Sequence, residues 1–358
     1  MRTSEKKYCV LALVLFSVLI TACTSEVEFN GEEIEPKLVV NSICLVDSLL
    51  EVEVSATKAI PGFEETFPFI PNATVKVFID GEETEVLQCV NAADSLKAKS
   101  EDLYLARYSG KTKVESGKKY RIEVTHPDFK QVAKGEMTPS KPVSIESAFV
   151  EVVKNDDVMD YSSSKINASI TFTDTPDEEN YYYLDVYLRI GEGFRTSGND
   201  GEEGFRVTVM DNFVSRKLTS SDPVFSNNNT PDNILGETSS IGYTVFDDKL
   251  LNGKPYELKF ELYEYWAWDM AHVDTTMGGF YIVYFELQSI TKDMYYYLKS
   301  ISDSNESGMG LFTEPVQVYS NISNGLGIFG ASSSSTYNIQ YGRYPIDGVE
   351  YHYGMTGY

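Results

Sequence analysis

The sequence predicts a mainly β protein, with an N-terminal immunoglobulin-like sandwich followed by a second, larger β-rich domain that contains one short helix. Two observations lead to this fold class. Apolar and polar residues alternate with a period of two along most of the chain, which is the pattern of strands that bury one face. Aromatic residues make up 13% of the sequence, with 25 tyrosines, and aromatic side chains favour strands.

Residues 1–22 are predicted to be a lipoprotein signal peptide and are therefore excluded from the fold. Basic residues at the start are followed by an apolar run from 9 to 20, which is shorter than the roughly 20 residues that span a bilayer. The sequence Leu19-Ile20-Thr21-Ala22-Cys23 resembles the lipobox of bacterial lipoproteins. We therefore expect acyl chains on Cys23 to hold the protein to a membrane, since each buried methylene contributes about 0.8 kcal/mol. Cleavage as an ordinary secreted protein is the alternative.

Residues 23–36 form a predicted acidic tether between the anchor and the folded body. The acidic residues Glu26 and Glu28 resemble the short signal that sends Bacteroidetes lipoproteins to the cell surface. This resemblance implies a lipid-anchored outer-membrane protein that faces the outside of the cell. A simple solvated tether is the alternative interpretation of the same residues.

The chain is acidic, with a formal net charge of −24 and no cluster of basic residues. Such a charge repels the phosphates of nucleic acids, so we expect no nucleic-acid partner. Two cysteines, Cys44 and Cys89, remain in the predicted mature body. In an oxidising compartment these two residues can form a disulfide, and two buried free thiols are the equally weighted alternative.

The first folded domain is predicted to comprise residues 37–140. Leu50, Val52 and Val54 alternate with glutamates, and Asp80-Gly81 supplies a hairpin turn. Seven short strands in about 100 residues are typical of an immunoglobulin-like sandwich. Two prolines then end the domain, because proline does not fit in a central strand. The predicted strands are Lys37–Leu45, Leu50–Ala56, Val75–Ile79, Thr84–Val90, Leu103–Tyr108, Lys119–Thr125 and Gln131–Met137.

The second domain, residues 141–358, is predicted to consist mostly of strands, with one helix from about Lys292 to Ser302. Thr291 can cap this helix, and apolar residues recur on one of its faces. Long polar loops are expected at 191–204 and 219–240. The predicted strands are Val143–Val153, Lys165–Thr173, Tyr181–Ile190, Phe205–Met210, Gly242–Phe246, Tyr256–Tyr265 and Tyr281–Ile290.

The run Gly325-Leu326-Gly327-Ile328-Phe329-Gly330 has the spacing G-x-G-x-x-G, but its context excludes a dinucleotide site. A phosphate cradle needs a preceding strand and a following helix within a βαβ unit, whereas a serine-rich run follows here. The run is therefore predicted to be a glycine-kinked strand or a tight turn. No cofactor is expected.

The residues that can carry chemistry are few. Asp269, His272 and Asp274 are weak candidates for a divalent-cation site, with a solvated loop as the default interpretation, so no metal is predicted. None of the three histidines lies in a metalloprotease motif, and no nucleophile motif accompanies them. The protein is therefore not expected to be an enzyme.

Trp266 and Trp268 are the two tryptophans of the chain and lie two residues apart in a predicted strand. Side chains at this spacing project from one face, where two rings can contact a ligand or a partner. The same rings can also fill a core or a domain interface, and this structural interpretation carries more weight.

Several blocks follow the lipobox in a characteristic order: Lys37-Leu38-Val39-Val40, Ile70-Pro71-Asn72-Ala73-Thr74-Val75, Gly117-Lys118-Lys119-Tyr120, Leu287-Gln288-Ser289-Ile290, Glu314-Pro315-Val316, Tyr319-Ser320-Asn321-Ile322 and the glycine run after Asn324. In these blocks the chain resembles domain-of-unknown-function family 4249 of Bacteroidetes outer-membrane lipoproteins. That family has no established activity. The resemblance implies a partnership with a TonB-dependent outer-membrane barrel, because members of the family often accompany such transporters.

The leading hypothesis is therefore a surface-exposed outer-membrane lipoprotein that acts as a binding accessory to a TonB-dependent transporter in nutrient uptake. The membrane is reached through the lipid anchor, and the ligand is not predicted. An adhesin or a pilus-like structural lipoprotein is the alternative. A hydrolase is less favoured than either.

Overall fold

Strands make up most of the computed structural model, which describes residues 35–57, 69–92, 105–153, 165–197, 203–210, 218–225, 244–262, 279–307, 317–342 and 350–354. The helix α1 spans Lys292–Ser307. The predicted mainly β fold class is confirmed. The strands are β1 (Leu38–Leu45), β2 (Leu49–Ala56), β3 (Thr74–Ile79), β4 (Glu82–Cys89), β5 (Ala106–Lys113), β6 (Tyr120–His126), β7 (Phe129–Met137), β8 (Ile145–Val153), β9 (Lys165–Thr173), β10 (Tyr181–Ser197), β11 (Glu203–Met210), β12 (Leu218–Thr219), β13 (Val245–Asp247), β14 (Pro255–Leu262), β15 (Phe280–Ile290), β16 (Leu326–Gly342) and β17 (Glu350–Gly354).

The first seven strands form two layers around one apolar core. Strands β1, β2 and β5 are neighbours in one layer, and β4, β3, β6 and β7 follow one another in the other. Strand β4 joins the layers, because its end pairs with β5 through Cys89 and Tyr108 while its start pairs with β3. A sandwich-like arrangement therefore occupies the predicted region, and its immunoglobulin-like type stays a prediction. The largest fully buried side chains of this core are Leu38, Leu50, Tyr108, Tyr120, Ile122 and Phe329.

In the second half, a four-stranded sheet in the order β12-β14-β9-β8 packs against the long strands β10 and β15. Phe172 from the four-stranded sheet contacts Tyr182 from β10, with ring centroids 5.5 Å apart. Phe246 lies against both rings, at 6.2 and 5.3 Å. Each large apolar side chain that is buried in this way stabilises the fold by roughly 1.5–3 kcal/mol.

Strands β10 and β11 are longer than the sequence predicts. Strand β10 continues to Ser197 and β11 begins at Glu203, with Arg195 opposite Phe205. The prediction of a loop over 191–204 is therefore wrong at residues 191–197 and 203–204. Glycines and charged residues interrupt the alternation there, but pairing with a neighbouring strand overrides this weak local preference.

Strand β16 joins the two halves, because it is parallel to β1 and antiparallel to β15. The sheet therefore continues across the domain boundary predicted at residue 140. Gly327 has a φ of +113°, and a Cβ atom there would lie 2.1 Å from the carbonyl oxygen of Val40. A Cβ at Gly330 would lie 3.1 Å from Met294 of α1. The predicted glycine-kinked strand is confirmed, and its glycines allow close approach of β1 and α1.

The segment before β16 covers the edge of strand β7. Asn321, Ser323 and Asn324 donate side-chain hydrogen bonds to backbone carbonyls of β7, at 3.4, 3.2 and 3.3 Å. The side chain of Asn321 also forms two hydrogen bonds with the backbone of Phe329. It accepts one from the N–H and donates one to the carbonyl, both at 2.9 Å. Edge strands present unpaired backbone groups that promote aggregation, so this contact protects the end of the large sheet.

Helix α1 packs on the outer face of the large sheet, away from the four-stranded sheet. Its residues Met294 and Leu298 are buried against Ile290 of β15. Thr291, which immediately precedes the helix, accepts a hydrogen bond through Oγ1 from the backbone N–H of Ala331 at 3.3 Å. This bond ties the start of the helix to β16. Among the described residues, no helix is long and apolar enough to cross a membrane.

Candidate functional site

The outer face of the four-stranded sheet carries an aromatic ring in a polar setting. Because successive side chains of a strand point to opposite faces, Ala168 and Phe260 point into the core, whereas Ser169 and Lys259 lie on the outer face; Lys259 is exposed there, and Ser169 is covered and only 6% exposed. Phe149 of the edge strand β8 pairs with Ser169, and Ser169 pairs with Lys259. The Phe149 side chain is 56% exposed. One cross-strand row therefore places an exposed ring, a covered hydroxyl and an exposed amine side by side.

The neighbouring cross-strand row is polar throughout. Glu151 pairs with Asn167, Asn167 with Glu261, and Glu261 with Thr219 of the other edge strand, β12. Asn167 donates from Nδ2 to the Glu151 carboxylate at 3.3 Å. Adjacent strands lie about 4.8 Å apart, so the polar groups of the two rows form a closely spaced grid.

Except for Glu151, the residues of these two rows line a groove of about 440 Å³, which we call the sheet groove. One wall is the segment that follows β12, and hydrogen bonds hold it in place. Ser220 Oγ donates to the carbonyl of Lys259 at 2.5 Å. The Asp222 carboxylate accepts from the Tyr256 hydroxyl at 2.6 Å and from the Lys259 backbone N–H at 3.3 Å. The lining residues are Phe149, Asn167, Ala168, Ser169, Thr219, Ser220, Ser221, Glu257, Lys259, Phe260 and Glu261.

A hydrogen-bonded triad orders the polar floor of the sheet groove. Glu257 accepts a hydrogen bond from Ser169 Oγ at 3.1 Å and forms an ion pair with Lys259 at 3.1 Å. The Lys259 ammonium, followed by the Ser169 hydroxyl, lowers the pKa of the Glu257 carboxyl below its ordinary value. The carboxylate is therefore charged at neutral pH, and the Lys259 and Glu257 side chains of this ion pair are 68% and 51% exposed.

The two glutamates that line the groove are widely spaced along one strand. Glu257 and Glu261 lie four residues apart on one strand, which separates their Cα atoms by about 13 Å at about 3.3 Å per residue. Paired carboxylates of glycoside hydrolases lie about 5 to 9.5 Å apart across the scissile bond. The Ser169 hydroxyl donates to a carboxylate and has no histidine partner among its hydrogen bonds. Within the described ranges, no cluster of three or more residues can hold a metal ion.

A group of tyrosines lies on the opposite side of the second half, beside α1. This tyrosine surface consists of Tyr181, Tyr295, Tyr296 and Tyr319, with neighbouring ring centroids 5.0 to 6.4 Å apart. Tyr296 is 40% exposed. Burial, followed by the hydrogen bond to Asp293, raises the pKa of Tyr319 to about 12, so this hydroxyl stays protonated. The surface therefore combines the exposed ring of Tyr296 with the half-buried rings of Tyr181 and Tyr319 and the buried ring of Tyr295.

A pocket of about 520 Å³, which both aliphatic and charged residues line, lies on the β1–β2 hairpin. Three exposed aliphatic side chains, Ile43, Leu45 and Leu49, line it. In the register of β1 and β16, Ile43 lies beside Gly330, the glycine that contacts α1. The pocket therefore faces the same side of the large sheet as the tyrosine surface. We call this pocket the hairpin pocket.

The site residues that the sequence predicted are distributed differently. Those outside the described residues, which therefore stay predictions, are Cys23, Trp266, Trp268, Asp269, His272 and Asp274. Cys44 and Cys89 are described, and both are free thiols. The strands that carry them, β1 and β4, are separated by β2 and β5. A disulfide needs Cα atoms within about 7 Å, so two strands that are this far apart do not allow one. In the structure, the two cysteines are therefore not bridged.

Sequence reasoning missed the sheet groove, although one signal for it is present. In the predicted strand 143–153, Phe149 lies on the same face as Ser147 and Glu151, which are polar. A large ring on the polar face of a strand is expected to face solvent or a ligand. The polar partners Asn167 and Lys259 gave no such signal, because polar side chains on the outer face of a strand are ordinary.

Comparisons with known proteins give the following matches. Residues 24–338 match the protein family described as "Domain of unknown function (DUF4249)". No curated protein is significantly similar to the chain. Among solved structures, the chain is similar to the Parabacteroides merdae β-glucuronidase with glycerol in its active site, at 10% sequence identity and a TM-score of 0.20. That match covers 72% of this chain but 23% of the other, and a likeness at this level carries no argument about fold or function.

Proposed function

The chain belongs to the DUF4249 family of unknown function, and from this premise we propose that it is a surface-exposed outer-membrane lipoprotein that assists a TonB-dependent transporter in nutrient uptake. In this role it binds a ligand on one face of the body and docks on the transporter with another. The acyl chains of Cys23 and the acidic tether 23–36 hold the body at the membrane.

One observation carries this proposal: the sheet groove and the tyrosine surface lie on opposite sides of the second half. In β10, Tyr182 and Leu184 point into the core beneath the four-stranded sheet, whereas Tyr181 and Tyr183 point towards α1. A ligand in the sheet groove therefore leaves the other side uncovered. Simultaneous binding of a ligand and a partner is what an accessory protein requires.

The helix side supports protein docking through its composition. Tyrosine is enriched in protein interfaces, because its ring contributes a large contact area at little entropic cost. Exposed aliphatic side chains of the hairpin pocket add apolar surface on the same side. We place the transporter contact there, with Tyr296 and Leu45 as central residues.

Co-purification from native outer membranes tests the proposal. We expect the wild-type lipoprotein to recover a TonB-dependent barrel in stoichiometric amount. Cys23→Ala should abolish acylation by mass spectrometry and release the protein from the membrane, whereas Cys9→Ala, within the signal peptide, should leave both unchanged. Recovery without any barrel contradicts the accessory role, and laddering homopolymers would favour the structural alternative.

The docking face is tested with a double variant, Leu45→Ser with Tyr296→Ala. Both side chains are exposed, so the body should stay folded while recovery of the barrel falls by about tenfold or more. Phe149→Ala, on the opposite side, is the matched control and should leave recovery unchanged. Equal loss in both variants would refute the assignment of the helix side.

A further inference from the structure

The sheet groove combines one exposed ring with a floor of hydrogen-bonding groups, and this combination indicates the chemistry of its ligand. Phe149 is the exposed aromatic side chain of the groove, since Phe260 is buried in the core below. An exposed phenylalanine gains free energy when an apolar face covers it. The faces of sugar rings carry C–H groups that can cover an aromatic ring, while their hydroxyls point outward to polar groups.

The polar floor of the groove offers hydrogen-bond donors and acceptors to a ligand. Ser169 and Lys259 hold the Glu257 carboxylate at 3.1 Å each, and Glu151 orients the amide of Asn167. After these bonds, the Lys259 ammonium retains further N–H donors and the Asn167 amide retains its carbonyl acceptor. These remaining donors and acceptors can form hydrogen bonds with the hydroxyl groups of a ligand.

Charge narrows the ligand class further. The lining contains two glutamates, Glu257 and Glu261, and one lysine, Lys259, so the groove is weakly acidic. The whole chain carries a formal charge of −24. Anionic ligands such as uronic acids, sulfated sugars or nucleotides are therefore repelled. An apolar peptide is also disfavoured, because beyond Phe149 the floor offers hydroxyl, amide and charged groups.

We propose that the sheet groove binds a neutral oligosaccharide, with Phe149 stacked on one sugar ring and Asn167, Glu257 and Lys259 bonded to its hydroxyls. The groove volume of about 440 Å³ suits a short segment of such a chain. The inference rests on the proposed accessory function, because it names the ligand class of the same groove.

Isothermal titration with the full-length Cys23→Ala variant tests the proposal. The probes are neutral oligosaccharides of glucose, mannose and galactose, with oligogalacturonate as the matched anionic probe. We expect at least one neutral oligosaccharide to bind and oligogalacturonate not to bind. Phe149→Ala should weaken this binding by about tenfold or more, because the ring loses its apolar cover. Phe149→Tyr, which keeps a ring, should restore most of it.

Tyr341→Ala is the matched control, since Tyr341 is 55% exposed and lies outside the groove. It should leave oligosaccharide binding unchanged. The proposal is overturned if no neutral oligosaccharide binds, if oligogalacturonate binds instead, or if Phe149→Ala leaves the affinity unchanged. Recovery of the barrel separates the two proposals. A barrel that co-purifies with a protein unable to bind sugar refutes the ligand class alone, and sugar binding without a barrel refutes the accessory role alone.

Discussion

The segment 319–330 and the sheet groove differ in what their polar side chains do. In the segment, Asn321, Ser323 and Asn324 bond to backbone groups of other strands and thereby join distant parts of the chain. In the groove, Asn167 and Lys259 bond to side chains on the same face and remain at the surface. The first arrangement joins strands that are distant in the chain, whereas the second leaves polar groups on a surface that a ligand can occupy.

This difference explains why the more distinctive sequence is not the proposed binding site. The glycines of the segment 319–330 are demanded by close contacts, such as that of Gly327 with Val40. Steric demands of this kind admit few residue types and therefore produce recognisable motifs. A binding surface on a sheet needs only an exposed ring and suitable polar neighbours. Such a surface looks ordinary in the sequence.

The largest effect is expected at Gly327. Gly327→Ala places a Cβ atom 2.1 Å from the Val40 carbonyl oxygen on a backbone with a φ of +113°. We expect the free energy of unfolding to fall by about 3 kcal/mol or more, from backbone strain and overpacking together. Gly81→Ala is the control, since Gly81 has a φ of +93° but no neighbouring atom within 4 Å. Its cost should be limited to about 1–2 kcal/mol. Equal losses in urea unfolding would show that the contact with β1 is unimportant.

A smaller loss is expected when the Asn321 side chain is removed. Asn321→Ala leaves the backbone N–H and carbonyl of Phe329 without their partners, which should cost about 2–3 kcal/mol. Ser323→Ala removes one exposed hydrogen bond to Lys134, while the backbone bonds between these residues remain. That control should cost about 0.5–1 kcal/mol. Equal urea-unfolding midpoints for the two variants would contradict a stabilising role of the Asn321 side chain.

The smallest effect is expected in the sheet groove. Phe149 is 56% exposed, so Phe149→Ala should change the free energy of unfolding by no more than about 0.5 kcal/mol. Thermal and urea unfolding of the variant measure this change, with Phe172→Ala as a buried comparison that should lose about 3–5 kcal/mol. If Phe149→Ala lowers the free energy of unfolding by more than about 1 kcal/mol, the ring has a structural role. The two regions would then not differ in the way described above.

Much of the local structure was predictable from the sequence, because alternation and turn residues act over a few neighbours. The predicted strand Lys37–Leu45 agrees with β1 (Leu38–Leu45), and the predicted helix begins at Lys292, where α1 begins. The residues that flank the glycine run excluded a phosphate cradle but left a kinked strand and a tight turn as alternatives. Whether Cys44 and Cys89 form a disulfide was not predictable from the sequence, because a disulfide depends on the distance between two strands and not on their composition.

The sequence by itself therefore determined the fold class, most strand positions and the buried faces of strands with a clear alternation, such as Leu50, Val52 and Val54 in β2. Only the tertiary structure decided that β1 pairs with β16, that β10 and β11 extend through residues 191–197 and 203–204, and that the sheet groove and α1 lie on opposite sides. The physical reason is that a period of two reports which side chains point inward but not which strands become neighbours. Strand pairing depends on contacts between residues far apart in the chain. The row of Phe149, Ser169 and Lys259 is assembled from three separate strands by such contacts.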